Sequence, residues 1–173
     1  MNNITSYEKY PLWIVLLSNL VSIAIYAIGA FIIYQIGWIW LLLYVAYVLW
    51  LEIKLLRKSC VNCYYYGKVC AFGKGKLSCL FFKKGDTNKF SQGKITWKDI
   101  VPDLMVSLIP MVAGIVLLVI DFNWVLLAMV LVLLLLTSMG NGLIRGSLAC
   151  KYCRQREIGC PAEQLFKRDK AKA

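Results

Sequence analysis

The residues of this chain with the plainest chemistry are its cysteines. Cys60-Val61-Asn62-Cys63 is followed by Cys70, and the same C-x2-C-x6-C spacing returns as Cys150-Lys151-Tyr152-Cys153 with Cys160, so six of the seven cysteines in 173 residues fall in two copies of one pattern. A C-x2-C turn presents two thiolates toward one ion, and a third cysteine after six more residues can close over it. In the first copy Cys79 offers a fourth ligand, making Cys60, Cys63, Cys70 and Cys79 a possible tetrahedral set. The second copy has no fourth cysteine and would borrow Glu157, Glu163 or a water, or leave the position open.

The alternative is that the copies meet. Two similar halves packed about a pseudo-two-fold axis would bring Cys60 and Cys63 opposite Cys150 and Cys153 across a shared ion, an arrangement with precedent in repeated membrane folds. Sites drawing on both halves are the preferred expectation, because three thiolates alone leave a coordination position open. All-cysteine ligation suits zinc or an iron–sulfur cluster. Structural zinc is the first expectation and an iron–sulfur cluster the alternative.

Other chemistry is excluded by composition. There is no histidine, which removes a histidine general base, histidine-ligated haem and the common catalytic zinc sets. No P-loop, dinucleotide fingerprint or serine nucleophile elbow is present. Gly73-Lys74-Gly75-Lys76 lacks the strand and helix that a phosphate loop needs, and reads as a basic turn facing solvent and lipid.

The elements that must position the cysteines are apolar. The chain is 60% hydrophobic, against about half in an ordinary soluble domain, which predicts an all-α integral membrane protein. An uncharged run from Leu12 to Tyr34 is long enough to cross roughly 30 Å of hydrocarbon at 1.5 Å per residue. It is longer than a signal peptide and lacks the basic lead of one. After the break at Gln35-Ile36-Gly37 a second apolar run extends from Trp38 to about Ile53. A third is expected over Leu104–Ile120, with Pro110 and Gly114 freeing carbonyls or bending it. The fourth starts at Trp124, has its core at Val125–Leu136 and finishes in small and polar residues through Gly142, suited to close helix packing. Charged residues appear only near the ends of these runs, as Glu52, Lys54 and Asp103, so the ionisable relay of a pump or secondary transporter is missing.

This predicts four regions: a transmembrane hairpin over 1–56, a cysteine-rich basic loop over 57–100, a second hairpin over 101–144 and a cysteine-rich basic tail over 145–173. Within the loop, Ser59–Phe82 is expected to fold around a ligand, and Lys83–Lys94 to be an exposed tether. Ala162–Lys172 is helix-prone and expected to lie along the interface.

The formal charge is +11. Eleven Lys and Arg fall between Lys54 and Lys98 and eight between Arg145 and Lys172, while the two short inter-helix turns have none. The positive-inside rule then puts both termini and the central loop in the cytoplasm, in a cell (inner) membrane. In that reducing compartment, cysteines at this spacing are read as metal ligands rather than disulfides. The charge is assigned to anionic headgroups and an acidic protein partner, not to nucleic acid. Lys74, Lys76, Arg154, Arg156, Lys167 and Arg168 are the candidates for lipid or partner contact. Trp40, Tyr44 and Tyr47, at i, i+4 and i+7, share a helix face; they are read first as packing and interfacial anchors, and second as a platform for an apolar ligand.

Four spans with a C-x2-C pair resemble the quinone-linked disulfide-generating membrane enzymes in helix count and pair spacing. Those enzymes carry a second pair in an exported loop, and here the outer turns hold no cysteine. Cys160-Pro161 resembles the close of a bacterial ferredoxin motif, but the spacing before it differs. The functional expectation is a non-enzymatic membrane module whose metal-bound cysteines order a basic cytoplasmic face for a protein partner or anionic lipid. The alternative is a membrane redox protein with iron–sulfur clusters or reactive thiols.

Overall fold

The computed structural model describes residues 6–93 and 96–161, less the side chains of Lys89 and Trp97. It is all-helical: among the described residues there is no strand, only an isolated parallel bridge between Tyr7 and Cys153. Four helical stretches, Leu12–Tyr34, Trp38–Asn62, Lys98–Ile120 and Trp124–Cys150, are each long and apolar enough to cross a membrane.

Helix α1 (Leu12–Tyr34) starts directly after Pro11, whose fixed φ and missing N–H suit a helix entry. The turn to α2 (Trp38–Lys58) is closed by Gln35 and Ile36 N–H bonds back to the carbonyls of Ile32 and Ile33. Gly37 opens α2 at φ 152°, within the range that favours glycine. The loop then forms a 3-10 turn at Cys60–Asn62, α3 (Lys74–Phe81) and α4 (Thr87–Ser91). Helix α5 (Trp97–Ile120) begins with a capping box between Thr96 and Asp99, and the Asn123 side chain caps α6 (Trp124–Leu135).

The fourth span runs farther than expected. Rather than finishing at Gly142, it continues through π-helical turns at Leu136–Gly140 and Ile144–Cys150 and delivers Cys150 at its last turn. Thr137, Ser138 and Ser147 donate to carbonyls of the preceding turn, so these polar side chains are satisfied within the helix. Likewise α2 continues past Ile53 to Lys58, and α5 starts ahead of Leu104. The expected tether at Lys83–Lys94 is instead folded back where described: Gly85 N–H bonds the Val61 carbonyl, Asp86 N–H bonds Asn62 Oδ1, and α4 follows.

Helix α1 is central, packed on α2, α5 and α6, while α5 also packs on α2 and α6. One core lies around Ile25, Ile32, Leu126, Val130 and Leu133, and another around Ile33, Tyr44, Val48, Leu51 and Val106. Gly114 makes the first possible, because a methyl there would overlap Val130 and press on Ile32. The outward faces carry bare apolar side chains such as Leu16, Ile39, Leu49, Val116 and Leu131, as expected of helices solvated by lipid.

Pro110 sits inside α5 without bending the chain out of helix. It cannot donate to the carbonyl of Val106 four residues earlier. Tyr44 supplies the missing donor: its buried hydroxyl bonds the Val106 carbonyl at 2.9 Å, and one turn along, Tyr47 bonds the Pro102 carbonyl at 2.8 Å. Gly29 on α1 leaves the room, since a methyl there would collide with the Tyr44 hydroxyl and crowd Pro110. The aromatic face of α2 is therefore divided. Tyr44 and Tyr47 bind α5, and Trp40, 58% exposed, is left on the outside.

Candidate functional site

Both cysteine patterns emerge at the same end of the helix bundle. The first follows the end of α2; the second begins on the last turn of the fourth span and leads into α7 (Arg154–Gly159). Their backbones make the same turns. Cys63 N–H bonds the Cys60 carbonyl and Cys153 N–H the Cys150 carbonyl, both at 3.3 Å; Tyr66 N–H then bonds the Cys63 carbonyl and Arg156 N–H the Cys153 carbonyl, both at 3.0 Å.

The residues flanking the cysteines lock these turns together. Tyr64 N–H donates to Gln155 Oε1 at 2.7 Å, and Arg154 N–H donates to the Tyr65 hydroxyl at 3.1 Å. Gln155, 2% exposed, also donates through Nε2 to the Gly159 carbonyl at 3.0 Å, tying the residue before Cys160 to the residue after Cys63.

The N-terminal segment is threaded between them. Tyr7 N–H bonds the Tyr152 carbonyl and Tyr10 N–H the Val69 carbonyl, each at 3.0 Å. Tyr65 donates its hydroxyl to the Tyr7 carbonyl, and Tyr10 to that of Ala149. Around this knot Tyr10, Ile14, Tyr65, Ala71 and Ala149 form a small core, and the side chains of Cys63, Cys70 and Cys153 pack on it.

None of the seven cysteines is joined in a disulfide. Cys63 lies within electrostatic reach of Cys153, Cys70 and Cys160, Cys60 of Cys70 and Cys63, and Cys153 of Cys150 and Cys160. The structure thus gathers cysteines of both patterns. Cys79 lies elsewhere, exposed on α3 beside Tyr66 and Gly67. Among the described residues no group of three or more cysteine or acidic side chains is arranged to hold a metal ion.

The electrostatics oppose two effects. Burial pushes the Cys63 thiol up to about 11, with the Tyr65 N–H drawing it back and the neighbouring sulfurs adding to the rise. Cys153 is raised for the same first reason and drawn back by the N–H groups of Gln155 and Arg156. Gly75 N–H reaches Cys70 Sγ at 3.4 Å. Backbone donors aimed at sulfur stabilise its anion, while exclusion from water keeps the thiol protonated in the absence of a cation. The surrounding tyrosines stay neutral: burial raises Tyr65 to about 12 and carries Tyr10 higher.

Positive charge rims the site. Lys68 and Arg154 lie over the Tyr64 ring, 4.2 and 5.6 Å from its centre, and Lys151 lies over Tyr152 at 5.5 Å. Arg154 also pairs with Glu8 at 3.1 Å. Lys74 does not face outward as the GKGK turn suggested. It begins α3 and closes on Glu52 at 2.6 Å, with Tyr26 donating to the same carboxylate at 2.7 Å. Lys76 is exposed. Lys167, Arg168, Glu163 and the helix expected over Ala162–Lys172 lie outside the described residues.

Sequence reasoning did not find Tyr7, Tyr10, Tyr65 or Gln155, which hold the two patterns together. The available signal was local: Tyr64-Tyr65 follows Cys63 directly and Arg154-Gln155 follows Cys153 directly. Comparison of the chain with family models, with curated proteins and with solved structures returns no match.

Proposed function

We propose that this chain is a non-enzymatic, multi-pass module of the cell membrane whose two cysteine turns bind a thiophilic metal ion, zinc in the first place, and so order a basic cytoplasmic face for an acidic protein partner or anionic lipid. The carrying observation is the interlock of the flanking residues: Tyr64 with Gln155, and Tyr65 with Arg154. Those bonds hold residues 91 and 89 positions apart in sequence beside one another where both C-x2-C pairs emerge.

The matched backbone turns at the two pairs support two halves of one repeated design. So does the packing, in which α1 meets α6 as α5 meets α2, the pattern a two-fold axis along the membrane normal would generate. The orientation rests on the bases, nineteen of which lie between Lys54 and Lys98 or between Arg145 and Lys172 and none in the outer turns.

The donor chemistry fits a soft ion, with thiols from both halves, N–H groups directed at three of the sulfurs, and a cationic rim. The sulfurs are not drawn onto a common centre, so binding requires their side chains to turn inward, coupling metal affinity to local order. When bound, zinc would hold the thiolates in a closed tetrahedral set with no chemistry of its own.

The test is metal analysis of anaerobically purified protein, followed by chelation. At least one zinc per chain is expected, with chelation opening new protease cuts at 60–79 and 150–160 and leaving the hairpins folded. Brown protein containing iron and sulfide would instead identify the redox alternative. Protein with no bound metal and an unchanged cleavage pattern after chelation would refute the proposal.

A further inference from the structure

The sequence pattern favours an ion shared between Cys60 and Cys63 of one half and Cys150 and Cys153 of the other, but the contacts select a different quartet. Cys63, Cys70 and Cys153 pack on one small core around Tyr65 and Tyr10. Cys160 follows Gly159, which Gln155 ties to the backbone beside Cys63. The first cysteine of each pair sits at the edge of this group: Cys60 reaches Cys70 and Cys63 but also the Lys74 and Glu52 charges, and Cys150, next to Cys153, is exposed on the last turn of the fourth span.

From this geometry we infer that Cys63, Cys70, Cys153 and Cys160 form one four-thiolate site shared between the two halves, taking a single soft divalent ion such as zinc, with Cys60, Cys79 and Cys150 outside it. The inference rests on the metal-binding reading above and specifies its ligands.

Three further observations support it. Backbone N–H groups are directed at three of the four sulfurs: Tyr65 at Cys63, Gly75 at Cys70, and Gln155 with Arg156 at Cys153. Such outer bonds hold thiolate ligands in place. Four thiolates on a divalent ion leave a net double negative charge, and Lys68 over the Tyr64 ring and Lys151 over the Tyr152 ring, with Arg154 shared with Glu8, supply positive charge beside the cysteine turns. Glycine at position 75 is required for the loop to close, since a methyl there would strike the backbone carbonyls of Tyr65 and Lys68. As each sulfur–metal bond forms, the thiol proton passes to solvent, so four protons leave per ion bound.

The experiment is an anaerobic cobalt(II) titration of the full, metal-free chain in detergent, read from the thiolate-to-cobalt charge-transfer and d–d bands. Saturation at one cobalt per chain with a tetrahedral four-sulfur spectrum is expected. Cys63→Ser and Cys153→Ser should each weaken binding at least tenfold, whereas Cys60→Ser, Cys79→Ser and Cys150→Ser should retain one cobalt with the four-sulfur spectrum. Saturation at two ions per chain, or loss of the four-sulfur spectrum in Cys150→Ser, would overturn the shared quartet while leaving the metal reading standing. Failure of the unmodified chain to bind cobalt or zinc would remove both. Should a serine variant not fold, the saturation point of the unmodified chain still decides between one shared site and two separate ones.

Discussion

Replacing Tyr44 with phenylalanine removes one oxygen and leaves the ring that fills the space between α1, α2 and α5. The oxygen matters because of Pro110. A carbonyl inside a membrane helix ordinarily receives the N–H four residues on; Val106 cannot, and the Tyr44 hydroxyl at 2.9 Å takes that place. Val106 is 7% exposed, so little water can substitute. Interhelical hydrogen bonds in membranes contribute on average about 0.6 kcal/mol and at most about 1.7, and leaving a buried partner unsatisfied costs about 1–3 kcal/mol. A loss near the upper end of the membrane range, about 1.5 kcal/mol, is therefore expected for Tyr44→Phe. The discriminating measurement is a double-mutant cycle with Pro110→Ala, which restores an N–H for Val106. In that background the same substitution should cost about 0.5 kcal/mol, leaving a coupling energy of about 1 kcal/mol. Stability would be read as helicity lost on titrating sodium dodecyl sulfate into micelles of a mild detergent. Equal costs of Tyr44→Phe in the two backgrounds would refute the argument, because the hydroxyl would then be independent of the proline.

Two further outcomes follow from particular contacts. Gly75→Ala should open the loop between Cys60 and Cys79, since the new methyl meets backbone rather than a flexible side chain; limited proteolysis should cut there several-fold faster with the spans intact, and an unchanged rate would contradict the packing. A cysteine placed at Phe122, in the turn between α5 and α6, should react with an impermeant thiol reagent added outside intact cells, and one at Asn88 on α4 should not; the opposite pattern would invert the orientation and remove the argument from a reducing compartment.

The four spans were legible because hydrophobic length is a direct requirement of bilayer thickness. Pro110 announced an orphaned carbonyl, but not which residue would reach it. That depends on the rotation of α2 about its own axis, which neighbouring helices set, and the shared face of Trp40, Tyr44 and Tyr47 was consistent with either a ligand or a helix. Span ends were read short for a related reason. Lys54, Arg57 and Lys58 mark where the apolar run stops, yet the backbone keeps its helical bonds beyond that point because nothing there breaks them. The π turns after Leu135 have no compositional signature comparable to a proline.

At the cysteine site the pattern was visible and the pairing was not. Spacing brings Cys60 and Cys63 into one turn by covalent necessity, but which sulfurs of the two turns approach depends on contacts between residues of ordinary type. Tyr65 accepts from Arg154 N–H while donating to the Tyr7 carbonyl, and Gln155 accepts from Tyr64 while donating to Gly159, so each uses both halves of its hydrogen-bonding capacity. A neutral two-sided linker suits this position better than an ion pair. It joins backbone to backbone across the halves without placing another charge beside sulfurs whose own ionisation must be balanced, and it leaves the cations of Lys68, Lys151 and Arg154 on the rim. In the proposed metal-bound state, charge at the outside and neutral polar struts within would leave the thiols to ionise only as the cation binds.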